Sequence, residues 1–239
     1  MASRMVAGGL VLGLWCGMAW SGQAAEPPVR VLVVGDSMMR VVAHATELEL
    51  SRREGMEALS HTSLGSGLAR LDVFDWMAKI DELVAAFEPT VSIVWFGTND
   101  RQPLRAGGRV IAPDSGQWEE EYARRVGDAM DRLAKVEGSR VLWLELPDMR
   151  EARMQADVDL INRLVEQEAG KRSAARFVPT RTLLSRQPGT YSAYVIGPDG
   201  MPLQIRHQDG VHLNRAGADR LAAALVPWVQ ESESDPERP

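Results

Sequence analysis

Val29-Arg30-Val31-Leu32-Val33-Val34-Gly35-Asp36-Ser37-Met38-Met39-Arg40 decides the fold. A β-branched apolar run predicts a buried strand, and it stops at Gly-Asp-Ser, where residues compatible with a helix begin at once. Ser37 is thereby placed at the carboxyl end of a strand and beside a helix N-terminus. Backbone N–H groups there lack partners, and the helix dipole favours negative charge. Asp36 or Ser37 in such a place either caps the helix or, for the serine, serves as a nucleophile. The rest of the chain has to separate these two readings.

Outward from this stretch, strands and helices alternate. Val41, Val42, Ala45, Leu48 and Leu50 recur at helical spacing up to Arg53, with Gly55 as a stop. Residues 56–62 predict a second strand, running into the loop Ser63-Leu64-Gly65-Ser66-Gly67-Leu68. Asp72 is the expected cap of a helix that buries Val73, Trp76, Ile80, Leu83, Val84 and Phe87 before Pro89 ends it. A third strand over 90–96 closes on Gly97-Thr98-Asn99-Asp100, and a loop leads to Gly116. Next come a helix with Trp118, Tyr122, Val126, Met130 and Leu133 on one stripe, and a strand over 140–146. A helix with Met154, Val158, Ile161, Leu164 and Val165 precedes a short strand over 176–179. Residues 191–206 read as a hairpin turning at Gly197-Pro198-Asp199-Gly200. Asp209-Gly210-Val211-His212 follows, and Asn214 caps a last helix through Leu221, Leu225 and Val229.

This alternation predicts a three-layer, doubly wound α/β domain with a five-stranded parallel sheet of flavodoxin-like topology. Sites in such sheets gather beyond the carboxyl ends of the strands, so Ser37, Gly65/Gly67 and Asn99 are expected on one rim.

Composition bounds the rest. Residues 1–25 read as a secretory signal, with Arg4 at its start, an apolar run from Val6 to Trp20 and small residues before position 26. An uncleaved anchor is the alternative, and both put the protein in the periplasm or outside the cell. Trp15 before Cys16 argues against lipidation. Removing the signal leaves 214 of 239 residues, with no cysteine and hence no internal disulfide. The domain is expected over 26–230, with a disordered polar tail over 231–239. The mature chain has 26 basic against 33 acidic residues and no basic run, which argues against nucleic acid as a partner. No cluster has metal-ligand spacing and no phosphate loop is visible, so no cofactor is expected.

Acyl transfer through serine needs a base, a group that orients the base, and donors for the oxyanion. The chain has His44, His61, His207 and His212. His44 falls within a helix and His61 within a strand. Asp209 lies three residues before His212, and a turn at Gly210 lets the carboxylate fold back on imidazole Nδ1, leaving Nε2 for Ser37.

Gly35-Asp36-Ser37, the glycine loop after the second strand, Gly97-Thr98-Asn99-Asp100 and Asp209-Gly210-Val211-His212 together resemble the SGNH, or GDSL-type, hydrolases over essentially the whole mature chain. Phe74-Asp75-Trp76 and Leu146-Pro147-Asp148-Met149-Arg150 look like one exported bacterial subgroup of largely unassigned activity. The resemblance implies Ser37 as nucleophile, His212 as general base and acid, and Asp209 as orienter. It implies oxyanion donation by the Ser37 N–H, one glycine N–H (Gly67 preferred to Gly65) and the Asn99 amide. The glycine block departs from the commoner family pattern, which leaves those two glycines open. Arg101, Arg150 and Arg206 are further candidates, as recognition groups for a carboxylate or sugar hydroxyls. Trp76, Trp95, Trp118, Trp143 and Trp228 are expected in the core, and the 191–206 hairpin is expected to wall the acyl pocket. The activity implied is hydrolysis of carboxylic, above all acetyl, esters on a cell-envelope or extracellular polysaccharide or on a small ester. Transfer of the acyl group to a sugar, with a membrane acyltransferase as partner, is the alternative. A non-catalytic carbohydrate-binding accessory protein is the second.

Overall fold

The computed structural model describes residues 27–231. The expected signal and the acidic tail beyond Glu231 lie outside the described residues. Nine strands and six helices follow in order: β1 Val29–Gly35, α1 Ser37–Leu50, β2 Met56–Thr62, α2 Trp76–Phe87, β3 Val91–Trp95, β4 Leu104–Ala106, β5 Arg109–Ile111, α3 Gly116–Leu133, β6 Arg140–Leu144, α4 Ala152–Ala169, β7 Ala175–Val178, α5 Arg181–Leu184, β8 Tyr194–Ile196, β9 Pro202–Gln204 and α6 Arg215–Gln230.

Five strands form one parallel sheet in the order β2-β1-β3-β6-β7, the flavodoxin-like arrangement expected from the alternation. Val31 to Val34 are wholly buried, which is why β1 shows no polar alternation: both of its faces are covered. Helix α1 packs on α6, and α3 packs between α2 and α4, so the helices make two layers. Trp76, Trp95, Trp118 and Trp143 are fully buried, whereas Trp228 lies at the edge of the core.

Register sets the site. Gly35 pairs with Thr62 on one side and Trp95 on the other, so β1, β2 and β3 end level with one another. Neighbouring strands lie about 5 Å apart, and the loops after Gly35, Thr62 and Trp95 therefore emerge side by side.

Two local expectations are corrected. The cap of α2 is Asp75, whose carboxylate accepts from Ala78 N at 3.1 Å, and Val73 lies outside the helix and is exposed. Asp72 is instead taken up by Arg70 at 2.8 Å and Arg105 at 3.4 Å. The loop expected before Gly116 contains the β4–β5 hairpin, turning at Gly107 and Gly108, both with positive φ. The 191–206 hairpin forms as β8–β9, and none of its residues lines the cavity at Ser37.

Candidate active site

Ser37 opens α1, and Asp36 is the cap: its Oδ1 accepts from Met38 N at 2.8 Å. The other oxygen, Oδ2, accepts from Gly97 N at 3.1 Å and faces Asn99 Nδ2 at 3.5 Å. One buried carboxylate thus ties the loop after β1 to the loop after β3. Burial pushes the Asp36 carboxyl up to about 7; the Met38 N–H opposes this, nearby Asp100 adds to it, and the Gly97 N–H opposes it.

His212 reaches the same rim from the turn before α6. Its Nε2 lies 2.9 Å from Ser37 Oγ, and its Nδ1 lies 2.8 Å from Asp209 Oδ2. Asp209 Oδ1 accepts from Val211 N at 2.8 Å and His212 N at 3.0 Å. Burial opposes ionisation of Asp209, but these N–H groups and the imidazoles outweigh it and hold the carboxyl far below the usual carboxylate range. Gly210 makes the turn with φ +81°, a conformation that side chains resist, and a Cβ there would also strike Arg150. A hydroxyl, an imidazole and an ionised carboxylate in series can move the serine proton to the imidazole while the carboxylate holds the ring in its Nδ1–H tautomer.

The glycine loop is held from three sides. Asn99 Nδ2 donates to Ser66 O at 3.0 Å, and Trp76 Nε1 donates to Ser66 Oγ at 2.9 Å. Asp100 accepts from Ala69 N at 2.9 Å and from Tyr122 Oη at 2.8 Å, while Arg125 donates to Leu68 O and Ala69 O. Gly67 is buried against this anchor: a Cβ on it would lie 2.1 Å from Asp100 Oδ1. Gly65 differs, being exposed with φ +65° and open space around it.

The arginines stand apart from the reacting groups. Arg101 spans Asp157 at 3.1 Å, Asp114 at 2.8 Å and Pro113 O, and it lies over the Trp118 ring. Arg206 is buried, donates to Val211 O at 2.8 Å and Gly210 O at 3.4 Å, and lies 5.1 Å from the Tyr191 ring centroid. Arg150 donates to Gln208 O at 2.7 Å and to Tyr191 Oη at 3.0 Å. None of the three lines the cavity at Ser37, and two of them hold the turn that carries His212.

Sequence reading passed over Ser66, Asp100 and His207. His207 Nδ1 lies 3.0 Å from Asp209 Oδ2, so two imidazoles share one carboxylate oxygen. The signal was available as a second histidine two residues from Asp209, though such a pair is common on surfaces. Among the described residues no group of His, Cys, Asp and Glu could hold a metal ion.

Solved structures of like fold are similar over most of the chain. An acetylxylan esterase from Geobacillus stearothermophilus is 17% identical, with TM-score 0.58 and coverage of 86% of this chain and 96% of that one. A proposed SGNH hydrolase from Slackia heliotrinireducens is 19% identical, with TM-score 0.54 and coverage of 83% and 97%. The catalytic domain of peptidoglycan O-acetyltransferase A from Streptococcus pneumoniae is 14% identical, with TM-score 0.52 and coverage of 85% and 94%. These likenesses show the SGNH-type hydrolase fold. No curated protein matches the chain. Residues 30–228, from the first strand through nearly all of the last helix, match the family described as "protein of unknown function (DUF459)", and the chain belongs to that family.

Proposed function

We propose that the protein is an exported serine esterase that cleaves carboxylic esters, acetyl esters foremost, through an acyl-Ser37 intermediate. The observation that carries this reading is the hydrogen-bond path from Ser37 Oγ to His212 Nε2 at 2.9 Å and from His212 Nδ1 to Asp209 Oδ2 at 2.8 Å. His212 takes the Ser37 proton as Oγ adds to the ester carbonyl, and Asp209 offsets the imidazolium charge. The oxyanion accepts from the Ser37 N–H at the start of α1, from a glycine N–H of the 65–67 loop and from Asn99. As the alkoxy C–O bond breaks, His212 returns the proton to the leaving oxygen. Water, deprotonated by His212, then releases the acid and restores Ser37.

An O-acetylated envelope or extracellular polysaccharide is the substrate class favoured by the secretory signal and by similarity to an acetylxylan esterase. Similarity to a peptidoglycan O-acetyltransferase domain supports a second reading, in which a sugar hydroxyl replaces water. Transfer of that kind needs acyl groups delivered across the membrane, which is where an acyltransferase partner belongs.

The test uses purified protein and 4-nitrophenyl acetate. Ser37→Ala is expected to lower turnover by about a thousandfold or more with an unchanged circular dichroism spectrum. Rapid quenching of the wild type is expected to show an acetyl-sized mass gain on the Ser37 peptide. Undiminished turnover in Ser37→Ala overturns the acyl-enzyme. Adding a sugar acceptor and analysing it for acetylation separates transfer from hydrolysis.

A further inference from the structure

A cavity of about 320 Å³ opens at Ser37, with Arg40, Val41, Leu64, His207, His212 and Leu213 among its walls. Asn99, Ser66 and Gly67 are not among them, so it lies on the His212 side of the nucleophile. The leaving oxygen of an ester must face His212 Nε2 to receive its proton, and the cavity therefore receives the alcohol half of the substrate.

Two polar groups of this wall play no part in the proton path. Arg40 is exposed one helical turn after Ser37 and makes no hydrogen bond or ion pair among the described residues. The other is His207, 63% exposed. Its Nδ1 is taken up by the turn itself, 3.0 Å from Asp209 Oδ2 and 3.4 Å from Asp209 N, which leaves Nε2 as the ring nitrogen without a partner among the described residues. Asp209, the acid of the cavity, is already met by two backbone N–H groups and two imidazoles. The guanidinium is thus left for an external anion, beside apolar walls that strengthen charged contacts by thinning the water.

We propose that this cavity is a subsite for an acidic sugar unit, with Arg40 pairing with its acid group and His207 Nε2 hydrogen-bonding with a sugar hydroxyl. The substrate is then an O-acylated acidic polysaccharide, an inference that rests on the esterase reading above.

Phenyl acetate and 4-acetoxybenzoate differ by a carboxylate on the alcohol half. The ratio of kcat/KM for the charged over the neutral ester is expected to be about tenfold higher in wild type than in Arg40→Gln, mainly through KM. It should shrink in about 0.5 M salt, where the Debye length is only a few ångströms. Equal ratios in wild type and Arg40→Gln overturn the subsite while leaving the esterase intact. Turnover of neither ester by the wild type instead brings down the esterase reading, and the inference with it. His207→Phe is expected to lower kcat/KM for an acetylated uronic-acid glycoside more than for 4-acetoxybenzoate, which has no sugar hydroxyl. Equal losses on both would mean that His207 only steadies Asp209, and would overturn its part.

Discussion

Asn99 shows how a side chain assigned to oxyanion binding is held before substrate arrives. Its Nδ2 donates to Ser66 O at 3.0 Å and faces Asp36 Oδ2 at 3.5 Å, so both amide hydrogens already have acceptors. An oxyanion would draw one of them away as negative charge develops, which makes the contact stronger in the transition state than in the ground state. Asn99→Ala is therefore expected to lower kcat by about a hundredfold or more with a smaller change in KM. Steady-state kinetics on a soluble acetyl ester checks this; a rise in KM alone would make Asn99 a substrate-binding residue. Arg206 invites the opposite comparison. Its guanidinium is spent on Val211 O, Gly210 O and the Tyr191 ring, which positions the turn bearing His212. Arg206→Met should consequently lower kcat by about tenfold or more through misplacement of the imidazole, with KM little changed. A KM effect without a kcat effect would restore substrate recognition as its role.

At the scale of elements, the loop between β2 and α2 is the part most dependent on its neighbours. Trp76 holds Ser66, Asp100 holds Ala69, and Arg125 holds two further carbonyls, so residues far apart in sequence fix a loop with no regular structure of its own. Gly67 is where this anchorage presses hardest on the backbone. Gly67→Ala forces the buried Asp100 carboxylate to move, combining overpacking with the loss of its bonds to Ala69 N and Tyr122, for about 3 kcal/mol of destabilisation. Gly65→Ala meets only the strain of a positive φ, about 1 kcal/mol. Urea unfolding of the two variants measures the difference; equal stabilities would show that Asp100 does not anchor the loop at Gly67.

At the scale of the whole molecule, burial raises two of the buried carboxyls among the described residues, Asp36 and Asp100. A carboxyl whose folded-state pKa exceeds its unfolded value favours folding while protonated. Its contribution is complete below the unfolded value of about 4 and is lost as pH rises through the folded one. For Asp36 that window runs up to about 7. The urea midpoint is thus expected to fall between pH 5 and pH 8, and less steeply in Asp36→Asn, which has no proton to lose. An identical slope in the variant would show that Asp36 does not titrate in this window. Asp209 works in the other direction, since its depressed carboxyl stabilises the fold at all but strongly acid pH.

The sequence by itself determined the alternation of strands and helices, the parallel sheet and the three rim loops. Each rests on local periodicity and on punctuation by Gly, Asp and Pro, which act within a few residues. The Asp209–His212 pair was legible for the same reason, because three residues and one glycine suffice to close the turn. Only the tertiary structure decided which carboxylate caps α2, since Asp72 and Asp75 are equal as local signals and differ only in that Arg70 and Arg105 claim the first. It alone gave Arg101, Arg150 and Arg206 their partners, and it alone revealed Asp100 beneath Gly67 and His207 on the oxygen that His212 shares. Such assignments depend on which polar groups are buried together and must satisfy one another, and the chain brings them into contact only when the sheet has formed.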